Sequence, residues 1–222
     1  MKTSEFAGFS PETFDFLWGI RLNNNKEWFA EHKKDYVDRL YEPMKALGQA
    51  AFRPFLDRPG NLLKVSRIYR DARMHYPVPY KESLWLCIRQ DVDWWAENPC
   101  LYFEIRPEGA SAGFLFWKPK TAILEAFRQD LIARPEVFPK IAEKCRKATG
   151  LPLTAEVYKR PKPCPMPELE PYFAWKGDIE CTTSWEPGEE LFDPKLGDEL
   201  AEMFENLLPL YDYFGALTAK GV

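Results

Sequence analysis

The sequence predicts a single α+β domain over residues 1–222, with a central antiparallel sheet, an N-terminal helical pair and C-terminal helices. Three observations predict it. Apolar residues recur with a helical period near the N-terminus, alternate with a period of two in the middle of the chain, and then return to a helical period. Helices grouped before and after a run of strands are typical of the α+β class.

Two helices are expected before residue 60. Ser10 followed by Pro11 is a helix start, because serine caps free amides and proline fits the first helical position. The asparagines at 23–25 are expected to end this helix and to cap a second one from Lys26. Pro43 is expected to kink or split that second helix, since proline removes a backbone donor.

The middle of the chain is expected to be a meander of strands. The segments with strand character are 84–89, 101–106, 114–117, 153–158 and 179–185. The connections at 97–99 and 107–109 are short and carry Asn, Pro and Gly, which favours antiparallel neighbours for the first three strands.

Helices are expected again in the last hundred residues. One begins near Pro119, and another runs from Pro135 to Gly150, where glycine supplies a left-handed end. A final helix is expected from Asp193 to near Pro209.

Composition excludes several classes of protein. With 30 basic and 34 acidic residues the net charge is −4, so non-specific coating of duplex nucleic acid is not expected. Five scattered cysteines without a Cys-x-x-Cys pair, and only two histidines, predict neither a disulfide framework nor a metal site. Glycine-rich phosphate loops are absent, and no cofactor is expected. No run of eighteen apolar residues and no signal-peptide pattern occur, so a cytoplasmic protein without a membrane span is expected.

The most unusual stretch is residues 66–81, which we call the basic segment. From Lys64 to Arg89 there are six basic and two acidic side chains, in a chain that is acidic overall. One interpretation is internal pairing, in which Asp71 and Glu104 bind the arginines and fasten the segment to the sheet. The other is a partly compensated pocket for an external anion, since guanidinium groups suit carboxylate and phosphate. The two can hold together, with Asp71 orienting the arginines that bind the ligand.

This segment supplies the candidate site residues. The ligand-binding candidates are Arg67, Arg70, Arg73, Tyr80 and Lys81. The acid–base candidates are Asp71, Glu104 and His75, because a carboxylate or an imidazole in a pocket can move protons. Tyr102, Glu104 and Arg106 alternate along one predicted strand and are expected on the same face, where they could complete a polar site beside the basic segment. The competing interpretation is a structural aspartate, a surface histidine, and cross-strand pairing of these three residues on a solvated face.

The same segment carries a family resemblance. The pattern Arg-Asp-x-Arg…Pro-Tyr-Lys resembles that of the domain of unknown function 2461 family, and the similarity runs in order from about residue 6 to residue 215. It is carried by Arg70, Asp71, Arg73, Pro79, Tyr80 and Lys81, by residues 23–29 and 102–107, and by the ending around Pro209. The chain has Met74 where the family usually has Phe, and lacks the lysine that usually follows. The resemblance implies no reaction.

Two functions remain open at this point. The first is an enzyme that binds a phosphate- or carboxylate-bearing small molecule through Arg67, Arg70, Arg73 and Lys81. The second is a non-catalytic binding module for a protein or single-stranded nucleic acid. A pocket with a desolvated carboxylate would favour the enzyme, and an open basic groove beside exposed tryptophans, such as Trp94 and Trp95, would favour the module. The sequence does not indicate an oligomeric state.

Overall fold

A six-stranded antiparallel sheet forms the centre of the computed structural model. The structure describes residues 5–75, 77–92, 97–160 and 162–219, and only the backbone of Ala72 and His75. The strands are β1 (Asn61–Val65), β2 (Leu84–Gln90), β3 (Cys100–Arg106), β4 (Gly109–Phe116), β5 (Leu153–Val157) and β6 (Trp175–Trp185). Their order across the sheet is β1-β2-β3-β4-β6-β5.

Helices precede the meander and follow it. They are α1 (Pro11–Leu22), α2 (Lys26–Glu31), α3 (Lys33–Asp35), α4 (Glu42–Ala51), α5 (Ala72–His75), α6 (Thr121–Ala133), α7 (Val137–Thr149), α8 (Glu170–Phe173), α9 (Glu189–Phe192) and α10 (Leu196–Ala219). A π-helix occupies Tyr36–Tyr41, and 3₁₀ turns occupy Arg53–Phe55 and Pro167–Leu169. This order confirms the predicted α+β class.

One face of the sheet forms the core. Leu86, Phe103 and Phe114 face inward from β2, β3 and β4, and all three are fully buried. Helix α10 packs on this face, where the rings of Phe114 and Phe214 stack with their centroids 5.9 Å apart. The alternate residues of each strand therefore point to the opposite face, which we call the open face.

The second predicted helix is split, as Pro43 indicated. It consists of α2, α3, the π-helix and α4, and it begins at the expected cap, since Asn25 accepts from the amide of Trp28 at 2.9 Å. Pro43 has no N–H for the carbonyl of Arg39, four residues earlier. The hydroxyl of Thr13 in α1 donates to that carbonyl at 2.6 Å and replaces the missing donor.

The expected end of the last helix at Pro209 was wrong. Helix α10 continues to Ala219 with Pro209 in its interior. A proline costs the helix one hydrogen bond, but Leu207, Leu210 and Phe214 on either side of it are fully buried. Packing of this apolar face holds the helix together across the proline.

No helix among the described residues is long and apolar enough to cross a membrane.

Candidate functional site

The basic segment folds back on itself at the end of the sheet. The amide of Arg70 donates to the carbonyl of Pro79 at 2.9 Å, and the amide of Lys81 donates to the carbonyl of Ile68 at 2.7 Å. Ile68 and Tyr80 are both buried at the base of this excursion. The two arms are therefore fixed to the protein, and the described residues between them, 71–75, 77 and 78, form the tip.

Tyr80 anchors the base of the segment. Its ring stacks on Phe29 with the centroids 4.2 Å apart. Its amide and carbonyl are both bound by the side chain of Asn24, each at 3.0 Å. Burial raises the pKa of the Tyr80 hydroxyl. Tyr80, which the sequence predicted to bind a ligand, therefore has a structural role at the base of the segment.

The three arginines lie in three different environments. Arg73 is highly exposed and forms a two-pronged pair with Asp71, at 3.0 and 2.6 Å, which raises the pKa of the guanidinium. Arg67 is exposed and has no ion pair with the described residues. Arg70 is half-buried, with one terminal nitrogen 3.9 Å from Glu82 and with a buried Nε that lacks a hydrogen-bond partner among the described residues. Only Arg70 is therefore both sheltered and incompletely paired.

Arg70 is connected through Glu82 to a network of charged side chains that was not predicted from the sequence. Arg21 of α1 donates from Nε to Glu82 at 2.7 Å and also pairs with Glu108 in the turn between β3 and β4. The Arg21 guanidinium lowers the pKa of the Glu108 carboxyl. These partners are 61 and 87 positions apart in the chain. No local signal in the sequence could have paired them.

Lys81 lies where the basic segment meets the open face. Its ammonium is 5.6 Å from the centre of the Trp85 ring, and it forms no ion pair with the described residues. Partial burial lowers the pKa of Lys81, the charges of Arg70 and Lys64 lower it further, and Glu104 opposes them. The arrangement therefore holds a sheltered cation among other cations.

The open face carries a cleft beside Lys81. Its volume is about 500 Å³, which falls in the range of small-molecule sites. The lining side chains are Trp85, Cys87, Asn98, Cys100, Tyr102, Glu104, Leu115, Trp117 and Glu180. Burial raises the pKa of the Cys87 thiol to about 11, so that thiol stays protonated at neutral pH. Most of this wall is aromatic, apolar or neutral, with a carboxylate from β3 and another from β6.

Glu104 is the predicted acid–base residue that lines this cleft. It accepts from the Ser83 hydroxyl at 2.7 Å and from Arg106 at 3.0 Å. Tyr102, two residues earlier on the same strand face, has a pKa that burial raises. The prediction that Tyr102, Glu104 and Arg106 share one face is confirmed.

The remaining acid–base candidates are placed differently. Asp71 binds Arg73 through both its carboxylate oxygens at the tip of the segment. The side chain of His75 lies outside the described residues, as do Trp94 and Trp95. The structure thus brings together Arg70, Lys81 and Glu104, and it places Asp71 and Arg73 in a separate pair.

A larger cleft, of about 720 Å³, lies between α4 and the start of α10. Its arginine, Arg53, is already paired with Asp198. No cluster of His, Cys, Asp and Glu among the described residues could hold a metal ion. The open-face cleft is therefore the stronger candidate site.

Comparison with known proteins gives a family and no activity. Residues 12–213 match the model of a family described as a conserved hypothetical protein, DUF2461. No curated protein matches the sequence.

Proposed function

The chain belongs to the DUF2461 family, and from the geometry of its open face we propose that it binds a phosphate- or carboxylate-bearing small molecule in the cleft beside Lys81. The anionic group lies against Lys81 and Arg70, and Arg67 adds to the positive field from outside. The body of the ligand contacts Trp85 and Leu115.

The observation that carries this proposal is the charge around Lys81. Like charges held close together are unfavourable unless an anion shares them. Arg70 and Lys64 both act on Lys81, Glu104 is the opposing charge, and the Glu104 carboxylate is already shared with Arg106. A bound phosphate or carboxylate would accept hydrogen bonds from Lys81 and Arg70 and relieve their repulsion.

If the ligand is a substrate, Glu104 is the side chain placed to move a proton. It lines the cleft, it is about one quarter exposed, and two hydrogen bonds fix its position. A general acid or base needs that combination of access and fixed geometry.

One observation favours the alternative of a non-catalytic module for single-stranded nucleic acid. Trp117, at the far side of the cleft from Lys81, is 47% exposed, and the Lys118 ammonium lies 4.5 Å from its ring centre. An exposed aromatic ring beside a cation can stack on a base.

Thermal unfolding with added ligands separates these functions. Inorganic phosphate, small phosphate esters and dicarboxylates are expected to raise Tm, because a ligand at 100 times its Kd stabilises by about 2.7 kcal/mol. Lys81→Met should abolish the rise, whereas Lys147→Met, on the exposed surface of α7, should retain it.

Two results would contradict the proposal. One is that no small anion raises Tm. The other is that Lys81→Met and Lys147→Met respond alike. A rise in Tm with a thymidine oligonucleotide alone would favour the nucleic-acid module instead.

A further inference from the structure

We infer that Lys81 is a nucleophilic amine that condenses with the carbonyl group of an anionic aldehyde or ketone to form an imine. The inference rests on the proposed function, because the cations that hold the ligand's anion also set the position of its carbonyl. It adds the chemical class of the substrate and the atom of the protein that reacts with it.

The position of Lys81 suits a nucleophile. Its backbone is fixed by the hydrogen bond to Ile68 and by the buried Tyr80 before it. Its side chain is half-buried and ends over Trp85, which lines the cleft. No carboxylate of the described residues forms an ion pair with it. A carboxylate partner favours the protonated form of an amine, which is not a nucleophile, and Lys81 has no ion-pair partner among the described residues.

The charges that face Lys81 favour its neutral form. They are Arg70 from the opposite arm of the basic segment, Lys64 from β1 and Glu104 from β3. Burial and the two cations lower its pKa and outweigh the carboxylate. At neutral pH, a larger fraction of Lys81 than of an exposed lysine therefore carries a free electron pair. A desolvated lysine beside another cation is a recognised way to activate this nucleophile.

The reaction balances without a further reactant. The nitrogen lone pair of neutral Lys81 adds to the carbonyl carbon, and the carbonyl oxygen takes a proton. The nitrogen then loses a proton to give a neutral carbinolamine. A second proton is added to its hydroxyl group, which leaves as water while the carbon–nitrogen double bond forms, and the nitrogen releases its second proton. Nothing is oxidised or reduced, and one water is released. Glu104, the cleft carboxylate whose charge acts on Lys81, can give and take the protons.

The substrate class follows from the same residues. An anionic group held by Arg70 leaves the carbonyl of a short oxo acid or aldehyde phosphate within reach of Lys81. Arg70 supplies the charge that holds the anion, and Lys81, as the neutral amine, supplies the reacting nitrogen. A neutral carbonyl compound would react more slowly, because nothing holds it against the amine.

Reductive trapping on the full chain tests the inference. The protein is treated with pyridoxal 5′-phosphate or with pyridoxal, then with sodium borohydride, and the modified peptides are identified by mass spectrometry. Lys81 should be labelled ahead of Lys147, and Lys81→Arg should remove that label. Arg70→Met should slow labelling by the phosphate probe about tenfold more than labelling by pyridoxal, because both probes lose the charge that favours the neutral amine and only the phosphate probe loses a charge-assisted contact. Circular dichroism checks that both variants are folded.

The outcomes separate the two proposals. Equal labelling of Lys81 and Lys147 overturns the inference, and the anion-binding function still stands if phosphate raises Tm through Lys81. Selective labelling of Lys81 by both probes at one rate, with no protection by phosphate, supports the nucleophile and contradicts the anion site. Selective labelling by the phosphate probe, with protection by inorganic phosphate, supports both.

Discussion

The surroundings of each cation in the basic segment, more than its charge, decide what the residue can do. Arg73 and Lys81 stand eight positions apart and carry the same charge. Arg73 is exposed and its pairing is completed by Asp71 two residues away. Lys81 is half-buried over Trp85, which lines a cleft, and has no ion pair with the described residues. The first is a local surface pair, which typically contributes little, and the second is available to a ligand.

This difference predicts opposite results for two arginine substitutions. Arg70→Gln removes a sheltered charge beside Lys81, and the rise in Tm caused by inorganic phosphate should fall markedly. Arg73→Gln removes a charge already bound to Asp71, and the phosphate-induced rise should be retained. Scanning calorimetry of both variants with and without phosphate provides the measurement. If Arg73→Gln abolishes the response and Arg70→Gln keeps it, the anion lies at the tip of the segment and our assignment is wrong.

For individual residues, the sequence predicted which side chains share a strand face. It predicted Tyr102, Glu104 and Arg106 on one face, because alternation along a strand is a local property. It could not predict that Arg21 and Glu108 join Glu82 and Arg70, since those contacts depend on how distant segments meet. It also could not separate the buried Tyr80 from the accessible Lys81 beside it.

Among the elements, the π-helix at Tyr36–Tyr41 shows how a proline can be accommodated. Pro43 leaves the Arg39 carbonyl without a helical donor, and Thr13 from α1 supplies one at 2.6 Å. Thr13 is 1% exposed, so water cannot easily replace its hydroxyl. A buried carbonyl without a partner is costly.

Thr13→Val is therefore expected to destabilise the protein. The substitution keeps the shape of the side chain and removes the donor, which should lower the free energy of unfolding by about 1–3 kcal/mol. Urea denaturation followed by circular dichroism measures it. Thr154→Val makes the same chemical change at an exposed position of β5 and is the control. Equal midpoints for the two variants would show that the hydroxyl of Thr13 does not stabilise the π-helix.

The elements themselves were predicted where the pattern reports a single buried face. Strand β3 buries every second residue, and its alternation located it closely. Strand β2 was also located, although Cys87 and Arg89 on its other face are buried as well. The predicted start of β4 at Phe114 was wrong, since the strand begins at Gly109 and its small residues 109–113 give no alternating signal. Strand β1 was missed, because Asn61–Val65 is a short edge strand with two consecutive leucines and no alternation. The continuation of α10 past Pro209 depends on tertiary packing, which overrides the local signal.

For the whole molecule, buried tyrosines link stability to alkaline pH. Tyr36, Tyr211 and Tyr213 are all buried, and burial is the largest cause that raises the pKa of each. Tyr211 donates to Asn61 at 2.6 Å, and Tyr213 donates to Asp130 at 2.7 Å. The folded protein therefore holds these protons at a pH where the unfolded chain releases them.

Proton linkage gives the direction in which the free energy of unfolding changes with pH. In the unfolded chain a tyrosine ionises near pH 10, and in the folded protein these three ionise at higher pH. Above pH 10 the unfolded state binds fewer protons than the folded state, so the free energy of unfolding falls as pH rises. Each tyrosine contributes at most about 1.4 kcal/mol per pH unit. The contribution is complete below pH 10 and is lost as pH rises toward the folded pKa values.

We therefore expect urea midpoints to start falling near pH 8.5, where unfolded cysteines ionise and the buried Cys87 thiol does not, and to fall more steeply between about pH 10 and pH 11, where unfolded tyrosines ionise. Tyrosinate absorbance should show exposed tyrosines ionising in the folded protein and the buried ones ionising only as the protein unfolds. Tyr36→Phe should reduce the slope of stability against pH, because it removes one of the three linked protons. Tyr69→Phe, at a ring that is 53% exposed, should leave the slope unchanged. Equal slopes for the two variants would mean that alkaline unfolding is driven by groups other than the Tyr36 hydroxyl.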